Sequence, residues 1–474
     1  MKKNNPRKNY QEDLEVVRRY ERSNKRTYFD TEEVEIIFEY YLDKEEDVKA
    51  AIALDLGLRL HPHSEELKLK KVQILTIWEN FDKALEVLDN EIDPDDIEAL
   101  FWRGNIFVQQ DKIEQALEIY NRLLEQEKDD EHFDDLCLDI AYTFNKDEYI
   151  SFALQFLEKG FKFNPQNHEL LLHYANLNIL SENFEKAINI LNKLLDQDPY
   201  HQYAWKLLSS IYYSLKNYIE ALEAIEFAIL LKRKDTEAWS LKGEISFHLN
   251  NFDNAISCFK NILKLSQNTE KHAAAYEWLG DSYESKEEYE NALYFYQESI
   301  RLNQILCIED TRLYINCLAC LLELEHFEEC ETLAKKCLIK FPDMSIFYNY
   351  YAEACLGQNK QIEGKNAFIK SLELDSEQPT INFAIGNICL YCEDYNNAIE
   401  HFRKAYDLEP NGQTALLLAC SYFKTKNTDK AKDYFAIAYE KIHNSTMIFL
   451  ERCPEGEYFI NDFLENKNTT KDEK

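Results

Sequence analysis

Two cysteine pairs spaced as CxxC, Cys317 with Cys320 and Cys389 with Cys392, are the side chains in this sequence best spaced for redox exchange or for gripping a soft metal ion. Four thiolates hold zinc only when all converge to about 2.3 Å from it. Each pair falls within a stretch patterned as a helix, and the pairs start 72 residues apart, so the four sulfurs are not expected to meet. His61 and His63 flank Pro62 with no third ligand nearby and read as a turn. No glycine-rich phosphate loop, HExxH or GxSxG occurs, and the acidic residues are spread along helical stretches without visible pairing. No catalytic residue, metal or cofactor is expected.

The elements that must position any functional side chain belong to a repeat. Small residues return at Ala50, Ala84, Ala116, Ala153, Ala187, Ala221, Ala255, Ala292, Cys330, Gly364, Ala398 and Ala431, with gaps of 34, 32, 37, 34, 34, 34, 37, 38, 34, 34 and 33. Twelve anchors predict twelve stacked units, none able to bury its apolar face alone. Twelve residues before the anchor stands a second small residue in nine units: Gly104, Ala141, Ala175, Ser209, Gly243, Gly280, Ala352, Gly386 and Ala419. Facing small residues let two helices approach to about 8–10 Å. Sixteen before the anchor comes bulk (Trp205, Trp239, Tyr276, Tyr314, Tyr348), and twelve after it a helix-ending proline (Pro62, Pro165, Pro199, Pro342, Pro410). The three long gaps are expected to lengthen connections and leave the packing alone; EQEKDDEH at 125–132 reads as one such surface loop, functional or indifferent.

This combination of small, bulky and proline positions resembles the tetratricopeptide repeat over residues 31–440. Departures are local: Phe38, Val72 and Leu318 stand at the first small position, and Gly364 puts a glycine inside a helix. The resemblance implies an all-α, right-handed superhelical solenoid of about twelve helical hairpins, whose first helices line a concave face that holds an extended peptide or a partner helix. In that frame the inward positions lie 18, 15, 11 and 8 residues before each anchor. They include Asn105, Tyr142, Asn145, Asn176, Lys206 and Tyr213, then the acidic run Glu237, Glu244, Glu277, Asp281 and Glu284, then Arg312, Glu353 and Asn387.

Asn105, Asn176 and Asn387 recur at one inward site, where an amide can bond both the N–H and the C=O of an extended backbone; a merely solvated face is the equal alternative. Only Lys206 and Arg312 are basic among these positions, which disfavours the family's clamp for a C-terminal carboxylate. The acidic run prefers a basic or backbone-presenting ligand.

Net charge of −33, from 54 basic and 87 acidic residues, disfavours nucleic acid, whose phosphates need a basic groove. No apolar run suits a signal peptide or a membrane span, and twelve dispersed cysteines suit a reducing compartment, so a cytoplasmic setting is expected. Residues 1–30 form a basic lead-in with nine Lys or Arg against five acids, which either stays solvated or folds back on the acidic body. Apolar residues at 441–465 predict a closing helix that caps the last unit, with self-association as the competing use, and 466–474 a disordered tail. The function these features favour is a non-catalytic adaptor that binds a protein or peptide along the groove. The alternative is a self-assembling scaffold whose groove is occluded by its own basic N-terminal segment. Partner, process and oligomeric state are left open.

Overall fold

The computed structural model describes residues 10–22, 27–144 and 146–472. Among these, every regular element is helical: 27 α-helices, two short 3-10 turns and no strand. They form two compact units, Met1–Lys232 and Arg233–Lys474. The first holds α1 (Tyr10–Glu21) and six hairpins: α2 (Thr31–Leu42) with α3 (Asp47–Leu60), α4 (Glu65–Ile77) with α5 (Phe81–Asn90), α6 (Ile97–Gln109) with α7 (Ile113–Gln126), α8 (Phe133–Thr143) with α9 (Ile150–Phe163), α10 (His168–Leu180) with α11 (Phe184–Gln197), and α12 (Gln202–Ser214) with α13 (Tyr218–Leu231). The second holds six more: α14 (Thr236–His248) with α15 (Phe252–Leu265), α16 (Thr269–Glu284) with α17 (Tyr289–Ile305), α18 (Thr311–Glu323) with α19 (Phe327–Lys340), α20 (Ser345–Gly357) with α21 (Gln361–Leu374), α22 (Pro379–Tyr391) with α23 (Tyr395–Leu408), and α24 (Gly412–Lys424) with α25 (Thr428–Lys441). It ends in α26 (Ser445–Arg452) and α27 (Glu457–Asp472).

All twelve anchors sit in the second helix of a hairpin and all are buried. Opposite each, the residue twelve earlier is buried in the first helix, and where it is glycine a ring four residues after the anchor takes up the space. A Cβ added at Gly104, Gly243, Gly280 or Gly386 would come within 2.4–2.6 Å of the ring of Tyr120, Phe259, Tyr296 or Phe402. Where the first position is Ala141 or Ala175, the second is Leu157 or Leu191; where it is Leu318, the second shrinks to Ala334. Phe38 and Val72 likewise face leucines, Leu54 and Leu88, in place of rings. Leu318 with Ala334 is therefore a volume exchange within the hairpin, whereas Ala352 and Ala419 keep rings, Phe368 and Phe435, at the second position.

Eleven of the hairpins turn through a residue with φ of 56–63° five positions before the anchor, from Glu45 to Lys426, and none of these is glycine. At Glu182 the N–H bonds the Ile179 carbonyl at 2.9 Å and the next N–H, of Asn183, bonds Asn178 at 2.8 Å, so the turn closes the helix by satisfying its last carbonyls. The exception is α8, which ends early at Thr143 and reaches α9 through a 3-10 turn at Asp147–Tyr149. The indoles of Trp205 and Trp239 do more than fill space: each Nε1–H donates to a carbonyl six residues back, of Pro199 and Arg233, both at 2.9 Å.

Of the three long gaps, only the one before α8 becomes a longer connection. The other two are absorbed as extra helix, because α16 starts about a turn early and α17 runs to 17 residues before Cys307 (φ 57°) stops it. At the N-terminus, α1 buries Val17, and Arg19 pairs with Glu33 and lies over the Phe29 ring, so this part of the basic lead-in is docked on the first hairpin. Residues 1–9 and 23–26 of the lead-in lie outside the described residues. At the other end the expected single closing helix is two. Phe449 and Phe463 place their rings 5.2 and 5.0 Å from Phe435, and the helix continues to Asp472, through most of the segment expected to be a disordered tail.

Candidate peptide-binding site

In the first unit the inward positions give a half-buried, mixed surface. Asn105, on α6, is half-buried, but its Oδ1 already accepts from Gln109 Nε2 at 2.8 Å. Asn176, on α10, and Tyr213, on α12, are half-buried, and Asn145 lies outside the described residues. Tyr142 is exposed on α8; its ring stands 4.3 Å from that of His173, and its hydroxyl donates to Glu169 at 3.4 Å. Two titratable groups join this cluster from positions the groove frame leaves out, fourteen before the anchor. Asp139 has its carboxyl raised to about 6, chiefly by burial, with Asp135 and Glu169 adding to it. His173 is held neutral-prone by burial, and its Nε2 has no hydrogen-bond partner. Their signal was available: the same position holds Trp102 and Leu207 in other units, so a charge there stands out.

In the second unit the acidic run is partly compensated. Glu244 accepts from the Ser240 hydroxyl at 3.0 Å, and Glu277 is paired with Arg312, which removes one of the two groove cations from service. Asp281 and Glu284 converge on the hydroxyl of Tyr296, at 2.7 and 2.5 Å. That phenol is wholly buried on α17 and has one proton to give to two carboxylates. Burial raises the Asp281 carboxyl to about 6, and the charge of Glu284 adds to it. Glu353, on α20, is solvent-exposed on one side and crowded by protein on the other, which raises its carboxyl as well. Glu237 is exposed at the start of α14. Tyr296 escaped the sequence reading because it belongs to a second helix.

Asn387 stands apart from the acidic run. It lines an open cavity of about 680 Å³ walled by α22, α24 and the end of α26, together with Leu390, Gln413, Lys424 and Arg452. The three recurrent asparagines thus have three different surroundings: one engaged within its helix, one half-buried, one in a cavity.

The CxxC pairs are not brought together. Cys317 and Cys320 are buried within α18, and burial pushes Cys320 up to about 12; Cys389 is buried on α22, while Cys392 is exposed at its end. Glu331, Cys355 and Glu363 do cluster, but the Glu331 carboxylate already takes Lys335 at 2.5 Å and Lys360 at 2.7 Å. Those ammonium groups hold its carboxyl down at about 2, which makes the cluster an ion-pair network rather than a cation site. No helix among the described residues is long and apolar enough to cross a membrane.

Comparison with known proteins adds the family. Four family profiles, each described as tetratricopeptide repeat, match residues 78–140 and 153–211, 247–304, 379–411, and 413–441, together about half of the chain. The chain is 24% identical over 231 residues to TPR repeat-containing protein MJ1428 of Methanocaldococcus jannaschii, covering 47% of this chain and 36% of that protein. It is 26% identical over 154 residues to the human protein O-mannosyl-transferase TMTC1, covering 32% of this chain and 17% of that protein. The match therefore spans about a third or less of these relatives. Among solved structures, the C-terminal part of a TPR repeat-containing protein from Cytophaga hutchinsonii aligns with a TM-score of 0.46 at 19% identity, over 52% of this chain and 98% of that one. YrrB, described as a TPR protein with an unusual peptide-binding site, aligns with a TM-score of 0.34 at 20% identity, over 41% of this chain and 97% of that one. With buried anchors at the predicted period, helical hairpins throughout both units and matching profiles along the sequence, this chain belongs to the tetratricopeptide-repeat family.

Proposed function

We propose that the chain is a non-catalytic scaffold that binds a protein or peptide on the first-helix faces, and that the second unit takes a basic segment there. Repeats of this family generally mediate protein–protein interactions. The observation that carries the finer reading is the shortage of positive charge around Asp281 and Glu284: they share a single phenol proton, while Arg312 is spent on Glu277. A lysine or arginine side chain supplies the missing donor and charge at half-buried carboxylates, where an ion pair is screened less than on an open surface. The test is a titration of the full chain with a labelled lysine-rich peptide and with its glutamate-substituted counterpart, at low and at physiological salt. Binding of the basic peptide alone, weakened about tenfold by Asp281→Asn with Glu284→Gln, is the expected result. Equal binding of both peptides, or indifference to the double substitution, removes the proposal.

A further inference from the structure

The extra turn of α17 does more than absorb an insertion. Past Leu302, where the helix would end at the length of its neighbours, it carries Gln304, whose Nε2 donates to the Tyr314 hydroxyl of α18 at 3.3 Å. Gln304 and Tyr314 help to wall a cavity of about 380 Å³ between the second helices α17 and α19, a size that holds ligands in other proteins. Ile300, Leu333 and Phe341 give it half-buried apolar walls. Lys336 and Lys340, one turn apart on α19, are its exposed cations. Lys340 is taken up by Glu309 at 2.9 Å and lies over the Tyr314 and Phe341 rings at 5.8 and 5.3 Å. Lys336 has no ion pair among the described residues. The corresponding gap in the first unit, between α9 and α11, is closed by a contact that is missing here. Lys193, six residues after its anchor as Lys336 is, lies 4.5 Å over the ring of Phe161, which stands eight after the preceding anchor as Ile300 does. That gap leaves about 230 Å³; with isoleucine in place of the ring, Lys336 stays at the mouth of a larger space.

We propose that this cavity docks an acidic segment of a protein partner, which inserts an aromatic side chain between α17 and α19 and sets a neighbouring carboxylate against Lys336. The occupant follows from the lining. An aromatic ring buries its surface against Ile300 and Leu333 and meets Tyr314 and Phe341 in edge or offset contact, taking the place that Phe161 fills in the first unit. A carboxylate beside it gives Lys336 the charge-assisted bond that its neighbours on α19 already have, Lys335 with Glu331 and Lys340 with Glu309. Ile308, next to Glu309, and Ile339, next to Lys340, are both exposed and offer apolar contact to the rest of such a segment. The site has the opposite charge preference to the Asp281 and Glu284 face and shares no lining residue with it. The second unit can therefore hold a basic segment on α16 and an acidic one between α17 and α19, and so bring two partners together.

The experiment measures binding of the full-length protein to an array of short acidic peptides that differ only in a central tryptophan, tyrosine, phenylalanine, leucine or alanine. Physiological salt is used, because it confines the general repulsion from a chain of net charge −33 to about 8 Å. The expected result is retention of the aromatic-centred peptides, with the alanine-centred one weaker by about tenfold. Lys336→Glu is expected to weaken the aromatic-centred peptides about tenfold, and Ile300→Phe, which restores the ring of the first unit, to weaken them by filling the cavity. Asp281→Asn with Glu284→Gln is expected to leave this binding in place while weakening the lysine-rich peptide, so the two sites fail separately. The proposal is overturned if no acidic peptide is retained, if the central residue makes no difference, if Lys336→Glu changes nothing, or if the Asp281 and Glu284 substitutions abolish the binding. Lys336 is exposed, so its substitution carries the test even where Ile300→Phe does not fold.

Discussion

Tyr296 has one hydroxyl proton and two carboxylates within reach of it, and the burial of one of them, Asp281, sets a pH dependence. The Asp281 carboxyl rises from an ordinary 3.8 to about 6 in the folded protein, chiefly through burial. A raised carboxyl favours the fold while protonated, so its contribution is fully present below about pH 4 and is lost as pH climbs through about 6. Asp281→Asn keeps an acceptor for the phenol and never ionises. The variant is expected to be more stable than the unsubstituted protein at pH 7, by on the order of 1 kcal/mol, with the difference vanishing toward pH 4. Urea unfolding across that range measures it, and a variant that is less stable at pH 7 contradicts the account. The two carboxylates were legible from their spacing; the phenol that couples them was not, because it reaches them from the neighbouring helix, a contact no single-helix frame contains.

Hairpin packing is where sequence and structure agree most closely, and also where the sequence reading was too simple. Gly243 was readable as a small-residue requirement, but its reason is the Phe259 ring, which is fully buried and stacked on Trp278 at 5.7 Å. Alanine gains about 1 kcal/mol of helix propensity over glycine, yet pressing a methyl onto a ring that cannot yield costs about 1–3 kcal/mol. Gly243→Ala is therefore expected to lower stability. Gly243→Ala with Phe259→Leu reproduces the Ala141 with Leu157 pairing and is expected to recover most of the loss in a double-mutant cycle. Strictly additive effects in urea melts would refute this coupling. Reading the anchor-plus-four position alongside the small one would have explained Leu318 at once.

For the molecule as a whole, the division into two units was not legible. The 34-residue spacing from Ala221 to Ala255 runs straight across it, and contact density, unlike period, leaves no mark in a single unit's residues. The charge was legible, and it has a global effect. With 54 basic against 87 acidic residues the folded chain repels itself, and salt at about 0.15 M confines that repulsion to about 8 Å. Its melting temperature is expected to rise as sodium chloride is added from low ionic strength. A fall instead would mean that ion pairs such as Glu277 with Arg312 outweigh the repulsion.

The volume exchange between paired positions has a bearing on how such a chain can change over generations. A hairpin carrying Gly280 with Tyr296 and one carrying Leu318 with Ala334 fill the same space by opposite means. Joining the first helix of the latter to the second helix of the former sets leucine against tyrosine, and the reverse sets glycine against alanine and leaves a hole. A recombination breakpoint inside either hairpin is thus expected to lose packing that exchange of the whole hairpin keeps.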